Sequence, residues 1–315
     1  MLLSLPTRIG APVWVAVALL AAGCTHGSST EPSDLSASPK ATAACPAPVV
    51  TTSAAGQPVR VTFDDPQAAG SVQPLTVSCS PASGSAFSVG TTTVACTISD
   101  ARQRSFWCNF TVKVIGPPRL STSIILAFGD SLTSGSSPPD PIDSYPSRLR
   151  PKLAARYVGQ GITVINDGKA GENAQATGRP RLNTALDVYK PGALLLMEGS
   201  NDLLGGDAGA AAGLAALTEM VRNARGRGVT VFLATLPPQR LNGPRNGVAR
   251  MIPVFNEKIK ALAQQEGVTL VDIFTAMGGD GRYIGHDDEH PTPEGFEVMA
   301  QAFFTALQQK LEVVQ

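Results

Sequence analysis

Residues Ile125–Gly135 read ILAFGDSLTSG. An apolar run without a charge stops at Gly129, Asp130 and Ser131. A continuous apolar run of this length, closed by a glycine, suits a strand buried on both faces of a parallel sheet. The pattern repeats downstream. SIILAF (123–128), ITVIN (162–166), ALLLMEG (193–199), VTVFLAT (229–235) and VTLVDI (268–273) are strand-length and apolar. Between them lie amphipathic segments that predict helices over Ser144–Tyr157, about Arg179–Tyr189, Asp207–Arg227 and Ile252–Glu266. A last helix is predicted from about Pro293 to the C-terminus, with Thr292 as N-cap and Pro293 at its first position. Strands alternating with helices predict an α/β domain, a three-layer doubly wound parallel sheet, over residues 122–315.

The chain has 315 residues, 43% hydrophobic and 16% charged, with 25 basic and 25 acidic side chains. That fits one large or two ordinary domains with a real core. No basic block stands out, so nucleic acid is not an expected partner. The histidines, His26, His286 and His290, stand apart from the cysteines and do not suggest a zinc site.

The N-terminus reads as an export signal over residues 1–23. Arg8 supplies the positive start, and Ala11–Ala22 is an apolar run too short to span a bilayer. LLAAGC, ending at Cys24, resembles a bacterial lipobox, with Ala21 where Leu is commoner. The resemblance implies lipidation of Cys24 and membrane attachment through the N-terminal lipid; an ordinary signal peptide would leave the protein secreted. Setting Cys24 aside, Cys45, Cys79, Cys96 and Cys108 remain. An even set in an exported chain implies two disulfides. Three pairings are open, and the expected one is Cys45–Cys108 with Cys79–Cys96.

Residues 24–44 are rich in Ser, Thr, Pro and Ala with almost no large apolar side chain, which predicts a disordered spacer. Residues 45–115 change character. PVRVTF, LTVSCS, TTVACTIS and CNFTVKV are short Val/Thr/Phe-rich runs separated by turn residues, the pattern of an all-β sandwich. The stretch from Val77 to Val114 resembles the HYR (hyalin repeat) module, an immunoglobulin-like fold. A spacer role is expected for it, with adhesion or carbohydrate binding as the alternative. GPPRLS (116–121) then reads as a short stiff linker.

In a doubly wound domain, ligands bind outside the carboxyl ends of the strands. Gly129-Asp130-Ser131 follows the first strand, NDGKAGENA (166–174) the second and GSND (199–202) the third. The topology therefore gathers these polar turns at one edge. A serine nucleophile needs a base. His290 in GHDDEHPTPEGF (285–296) precedes a proline, which favours extended backbone, and Asp287 lies within reach of it. A carboxylate there fixes the imidazole tautomer and stabilises the imidazolium. The backbone N–H groups of Ser131 and Gly171 and the amide of Asn201 are candidate oxyanion donors. Asp202 reads as structural, His286 as a rim residue, and Asp288 and Glu289 as solvated loop charges.

These four blocks resemble the SGNH (GDSL) hydrolase family. FGDSLT matches its first block, with Ser131 as nucleophile. NDGKAGEN matches the second, with Gly171 as oxyanion glycine. GSND matches the third, with Asn201 as oxyanion asparagine and Ser200 where Thr is commoner. DDEHP matches the Asp-x-x-His block, with Asp287 and His290. The blocks follow family order over about 195 residues. The resemblance implies a flavodoxin-like fold and a serine esterase that uses an acyl-enzyme intermediate, with no metal and no cofactor. It permits small-molecule, acetyl-glycan and lysophospholipid esters. The alternative is a surface adhesin carrying an inactive hydrolase fold. Loops 134–144 and 235–247 are expected to line the substrate; Arg240 and Arg245 in the second read as solvated loop charges.

Overall fold

The structure, a computed structural model, describes residues 42–135 and 143–313. The signal segment, Cys24, most of the spacer and the middle of the 134–144 loop lie outside the described residues.

The smaller domain is strand-rich. Its main sheet orders Val49–Thr52, Ser105–Ile115, Gly90–Ser99 and Thr76–Ser80 side by side. Period-two alternation decides which side chains go inward. Along Ser105–Ile115, Cys108, Phe110, Val112 and Val114 are buried, while Trp107, Asn109 and Lys113 face solvent. Inward residues of the neighbouring strand, Val94, Cys96 and Ile98, are buried likewise. Phe63 meets Phe110 edge to face at 4.8 Å. Cys45 is bonded to Cys108 and Cys79 to Cys96. The latter pair sit directly opposite each other in the antiparallel register.

Three predicted boundaries move. The spacer was expected to reach Ala44, but Thr42–Ala44 pairs antiparallel with Gln67–Ala69. Composition hid this, because the neighbouring Cys45 bond, not apolar burial, anchors the segment. The linker was expected to reach Ser121, and the last helix the C-terminus. Instead Arg119–Leu120 pairs with Glu312–Val313. Leu120 is buried, and Glu312 is gripped by Arg156 at 2.6 and 2.8 Å and by the Tyr157 hydroxyl at 2.9 Å.

In the larger domain β1 (Ile124–Gly129), β2 (Thr163–Gly168), β3 (Ala193–Met197), β4 (Thr230–Ala234) and β5 (Thr269–Val271) form one sheet. Its order is β2-β1-β3-β4-β5, all parallel. Every residue of β3 is fully buried, as expected for a strand covered on both faces. The helices are α1 (Tyr145–Arg156), α2 (Arg179–Tyr189), α3 (Gly206–Gly226), α4 (Asn246–Glu266) and α5 (Pro293–Leu311). α1 packs on α5, where Tyr145 stacks on Phe303 at 4.6 Å; α2 packs on α3 and α3 on α4. Thr292 caps α5 by accepting the Gly295 N–H.

α4 begins at Asn246, six residues before the predicted start. The prediction placed Pro253 near a helix start, where proline is favoured. Here Pro253 lies inside the helix. The stripe Val248, Ile252, Phe255 and Ile259 is buried, and that packing carries the helix past the lost hydrogen bond.

In this order β1 and β3 are neighbours whose connections leave in opposite directions. That is the switch point at which such sheets open a crevice. The turns after β1 and β3 carry Ser131 and Asn201.

Candidate active site

The turn after β1 is shaped by close packing. A methyl on Gly129 would overlap the Met197 carbonyl of β3 and the Thr133 hydroxyl. With glycine there, the chain turns at once into a short helix, Ser131–Ser134. The Asp130 carboxylate caps it, accepting the Leu132 N–H at 2.9 Å. Ser131 opens this helix and keeps 9% of its surface exposed.

The turn after β2 packs against the first. The Lys169 N–H donates to the Gly129 carbonyl at 2.9 Å, and the Asn166 amide donates to the Ser134 carbonyl at 3.2 Å. Gly171 sits here at φ +73°, the left-handed region that favours glycine. The turn after β3 is tied to the second in turn. Asn201 donates one amide hydrogen to the Glu172 carbonyl at 2.9 Å. Its second amide hydrogen is left for another acceptor. Asp202 turns away and receives the Ala174 and Gln175 N–H groups at 2.7 and 3.2 Å, which fixes the segment after Gly171. Its place is structural, as the sequence suggested.

His290 lies on the loop before α5. Its Nδ1 meets Asp287 Oδ2 at 2.6 Å, and Asp287 Oδ1 accepts the backbone N–H groups of His290 and Glu289 at 2.9 and 3.1 Å. Partial burial works against ionisation of Asp287, but these hydrogen bonds outweigh it and hold the carboxyl below its usual range. His290 Nε2 is buried and has no hydrogen-bond partner among the described residues. Asp130, which caps the Ser131 helix, lies within electrostatic range of Glu289, His290 and Arg245.

Asp288 and Glu289 depart from their predicted role. Asp288 faces Arg240 at 3.6 Å and Glu289 pairs with Arg245 at 2.5 Å. The Arg240 N–H also donates to the Asp288 carbonyl. Asp288 and Glu289 thus each face an arginine, and Arg240 and Arg245 are not free loop charges. His286 is exposed, at the edge of the loop.

The sequence reading also missed a layer of buried charge behind the turns. Arg181 of α2 donates to Glu172, to the Asp167 carbonyl at 3.0 Å and to the Gly129 carbonyl at 3.2 Å, and lies 3.9 Å over the Phe128 ring. It pins the ends of β1 and β2 together. Glu198, the residue after β3, is buried. One of its oxygens accepts the Gly199 N–H at 3.2 Å and the other has no partner among the described residues. Burial, reinforced by the carboxyls of Asp130, Glu172 and Asp202, pushes Glu198 well above the usual carboxylate range. Burial likewise pushes Asp130 up to about 7, against the Leu132 hydrogen bond that favours its ionised form. The available signal for Glu198 was an acid directly following a fully apolar strand. Arg181 was not singled out, and Arg245 was read as a loop charge because its partner Glu289 is remote in sequence.

Known proteins can now be set beside this geometry. A family profile described as the GDSL-like Lipase/Acylhydrolase family matches residues 127–298, and an HYR domain profile matches residues 38–114. Acetylxylan esterase Axe2 from Geobacillus stearothermophilus is 20% identical, with a TM-score of 0.50 over 59% of this chain and 94% of its own. LAE5, an alpha/beta hydrolase enzyme from the metagenome of Lake Arreo, Spain, is 21% identical, with a TM-score of 0.50 over 60% of this chain and 96% of its own. These two share the fold. No curated protein matches the chain. The profile spans more than half of the sequence, and it ends beyond the loop that carries His290. The chain carries an HYR domain, belongs to the GDSL-like lipase/acylhydrolase family and is a carboxylic ester hydrolase.

Proposed function

We propose that the chain is an exported serine esterase whose nucleophile is Ser131, whose base is His290 oriented by Asp287, and whose oxyanion donors are the Ser131 and Gly171 N–H groups and the Asn201 amide. One observation carries the reading: Asp287 holds His290 through Nδ1, and Nε2 is buried without a partner among the described residues. That is the atom a general base needs free.

In acylation, Nε2 takes the proton of Ser131 as its oxygen attacks the ester carbonyl. The carbonyl oxygen becomes an anion facing the three donors. The tetrahedral intermediate collapses, the C–O bond to the alcohol breaks, and His290 returns the proton to the departing alkoxide. Water then repeats the sequence on the acyl-enzyme, giving the free acid and restoring Ser131. Every proton passes through His290, so the cycle balances without a further reactant.

Export rests on the predicted signal over residues 1–23 and is supported by the two disulfides and the HYR domain. In this reading Cys24 carries the lipid, residues 24 to about 41 form the tether, the sandwich follows, and the catalytic domain runs from residue 122. Acetyl groups on glycans and lysophospholipid esters are the substrate classes an enzyme tethered outside the membrane would meet. The test is Ser131→Ala. It is expected to abolish p-nitrophenyl acetate hydrolysis and fluorophosphonate labelling with the melting temperature unchanged; activity equal to wild type refutes the assignment. A panel varying acyl length and alcohol separates acetyl-sugar, lysophospholipid and generic esters.

A further inference from the structure

We infer that Arg245 is a positioning residue for catalysis: it fixes the Asn201 amide in its donating orientation and joins that amide to the loop that carries His290. The inference rests on the proposed role of Asn201 in the oxyanion site.

Arg245 stands at the N-cap of α4, where the loop after β4 ends. That loop is itself anchored at its start by Asn256, which accepts the Leu236 N–H at 2.8 Å and donates to the Leu236 carbonyl at 2.9 Å. From this base the guanidinium makes three contacts. It donates to Asn201 Oδ1 at 3.4 Å and to the Ser200 carbonyl at 3.3 Å, and pairs with Glu289 at 2.5 Å. Only 19% of the Arg245 side chain and 11% of the Glu289 side chain remain exposed. Ser200 and Asn201 are buried.

An asparagine side chain is nearly symmetric in shape. Rotation by half a turn exchanges its oxygen and nitrogen, and only one orientation offers N–H to an oxyanion. Two contacts here agree on that orientation. The Glu172 carbonyl accepts from Nδ2, and the Arg245 cation donates to Oδ1. The flipped amide would set oxygen against carbonyl and N–H against guanidinium. A cation on the amide oxygen also draws electron density from nitrogen and strengthens its N–H as a donor. Glu289 offsets the charge of Arg245, so the pair is poorly suited to binding an anionic substrate group. Glu289 immediately precedes His290, so the guanidinium spans from oxyanion donor to base.

The experiment measures kcat and KM for p-nitrophenyl acetate in Arg245→Ala, Asn201→Ala and their double variant. Deleting an oxyanion donor costs about 10²–10³ in kcat. Disorienting the donor instead of removing it is expected to cost part of that, about 10- to 100-fold, with KM within about threefold. Because Arg245 acts through Asn201, the double variant is expected to be no slower than Asn201→Ala alone. Truncating Arg245 leaves Glu289 unpaired, so Arg245→Ala/Glu289→Gln is measured alongside. It is expected to keep the wild-type melting temperature and show the same kcat loss. Three results overturn the inference: a raised KM with kcat intact, losses that multiply in the Asn201 double variant, or kcat restored in the Glu289→Gln background. A wild-type chain that neither hydrolyses the ester nor takes a fluorophosphonate fails in a different way, and removes the Ser131 assignment beneath it.

Discussion

Replacing Asp287 by asparagine tests how the base is held, because the two carboxylate oxygens do separate work. Oδ1 accepts two backbone N–H groups, from His290 at 2.9 Å and Glu289 at 3.1 Å, and Oδ2 meets the His290 ring at 2.6 Å. In Asp287→Asn the amide oxygen must stay with the two backbone donors, since an NH₂ group cannot accept from them. The amide nitrogen then faces Nδ1. It can only donate, so the ring proton moves to Nε2 and the base loses its acceptor. The same change in a serine protease triad costs about 10⁴ in kcat. Here the Asp287 side chain is 54% exposed, so solvent lets some rings regain the right tautomer. The expected loss is about 10²–10⁴ in kcat, or about 3–5 kcal/mol of transition-state stabilisation. The loop keeps its backbone bonds, so the melting temperature is expected to move by no more than about 2 °C. Asp287 is held below the usual carboxylate range, so wild type keeps the ionised partner down to weak acid. The two are therefore compared at pH 8, where the wild-type Asp287 is fully ionised. Stopped assays with p-nitrophenyl acetate measure both. A variant that keeps more than a third of wild-type kcat refutes the argument, because another group must then orient the ring.

Asp130 makes stability depend on pH. Folded Asp130 titrates near 7 instead of 3.8, so its contribution is intact below the ordinary value and is lost as pH rises through 7. At about 1.36 kcal/mol per pH unit, Asp130→Asn should gain up to about 4 kcal/mol on wild type between pH 4 and pH 8 in urea unfolding; a gap that does not change with pH contradicts this. Gly129→Ala should lose about 3 kcal/mol or more, since its methyl meets the Met197 carbonyl across the sheet, and calorimetry would show a melting temperature lower by about 6–12 °C. Reducing both disulfides, which close loops with separations of 63 and 17 residues, should destabilise the small domain by about 4 and 3 kcal/mol in turn. In a chain lacking residues 1–23, Trp107 is the sole tryptophan, so its emission reports this transition while ester hydrolysis persists; an unmoved urea midpoint would contradict the prediction.

The central sheet was legible because burial on both faces demands uninterrupted apolar runs, which stand out in sequence. Helix α2 falls at Arg179–Tyr189 as the periodicity predicts. What escaped was whatever depends on partners far along the chain. Nothing local distinguishes Arg119–Leu120 from a linker until Glu312–Val313 pairs with it. Pro253 reads as a helix start until the buried stripe around it is known. The site divides in the same way. Ser131, Gly171, Asn201, Asp287 and His290 could be proposed because strand ends converge and Asp-x-x-His is a local spacing. Asp288 and Glu289 could not be told from solvated charges, because their partners Arg240 and Arg245 lie more than forty residues away.

The buried charges share a physical logic. Four carboxyls, those of Asp130, Glu172, Glu198 and Asp202, gather behind the strand ends, where like charges should repel. Each is accommodated differently. Glu172 has Arg181, Asp202 has two backbone N–H groups, Asp130 caps the serine helix, and Glu198 holds its proton. Interaction between Asp130 and His290 is reciprocal. In the proposed mechanism His290 becomes positive as Ser131 attacks, and a positive His290 favours ionised Asp130. The same negative charge opposes the oxyanion, which forms at the same moment. Direction resolves the conflict. In the proposed mechanism the oxyanion meets N–H donors from the Gly171 and Asn201 turns, whereas the imidazolium spreads its charge over a ring whose other nitrogen already rests on Asp287. The orientation of Asn201 therefore carries more of the balance than its distance alone suggests, and the Arg245–Glu289 pair sits where that orientation is set.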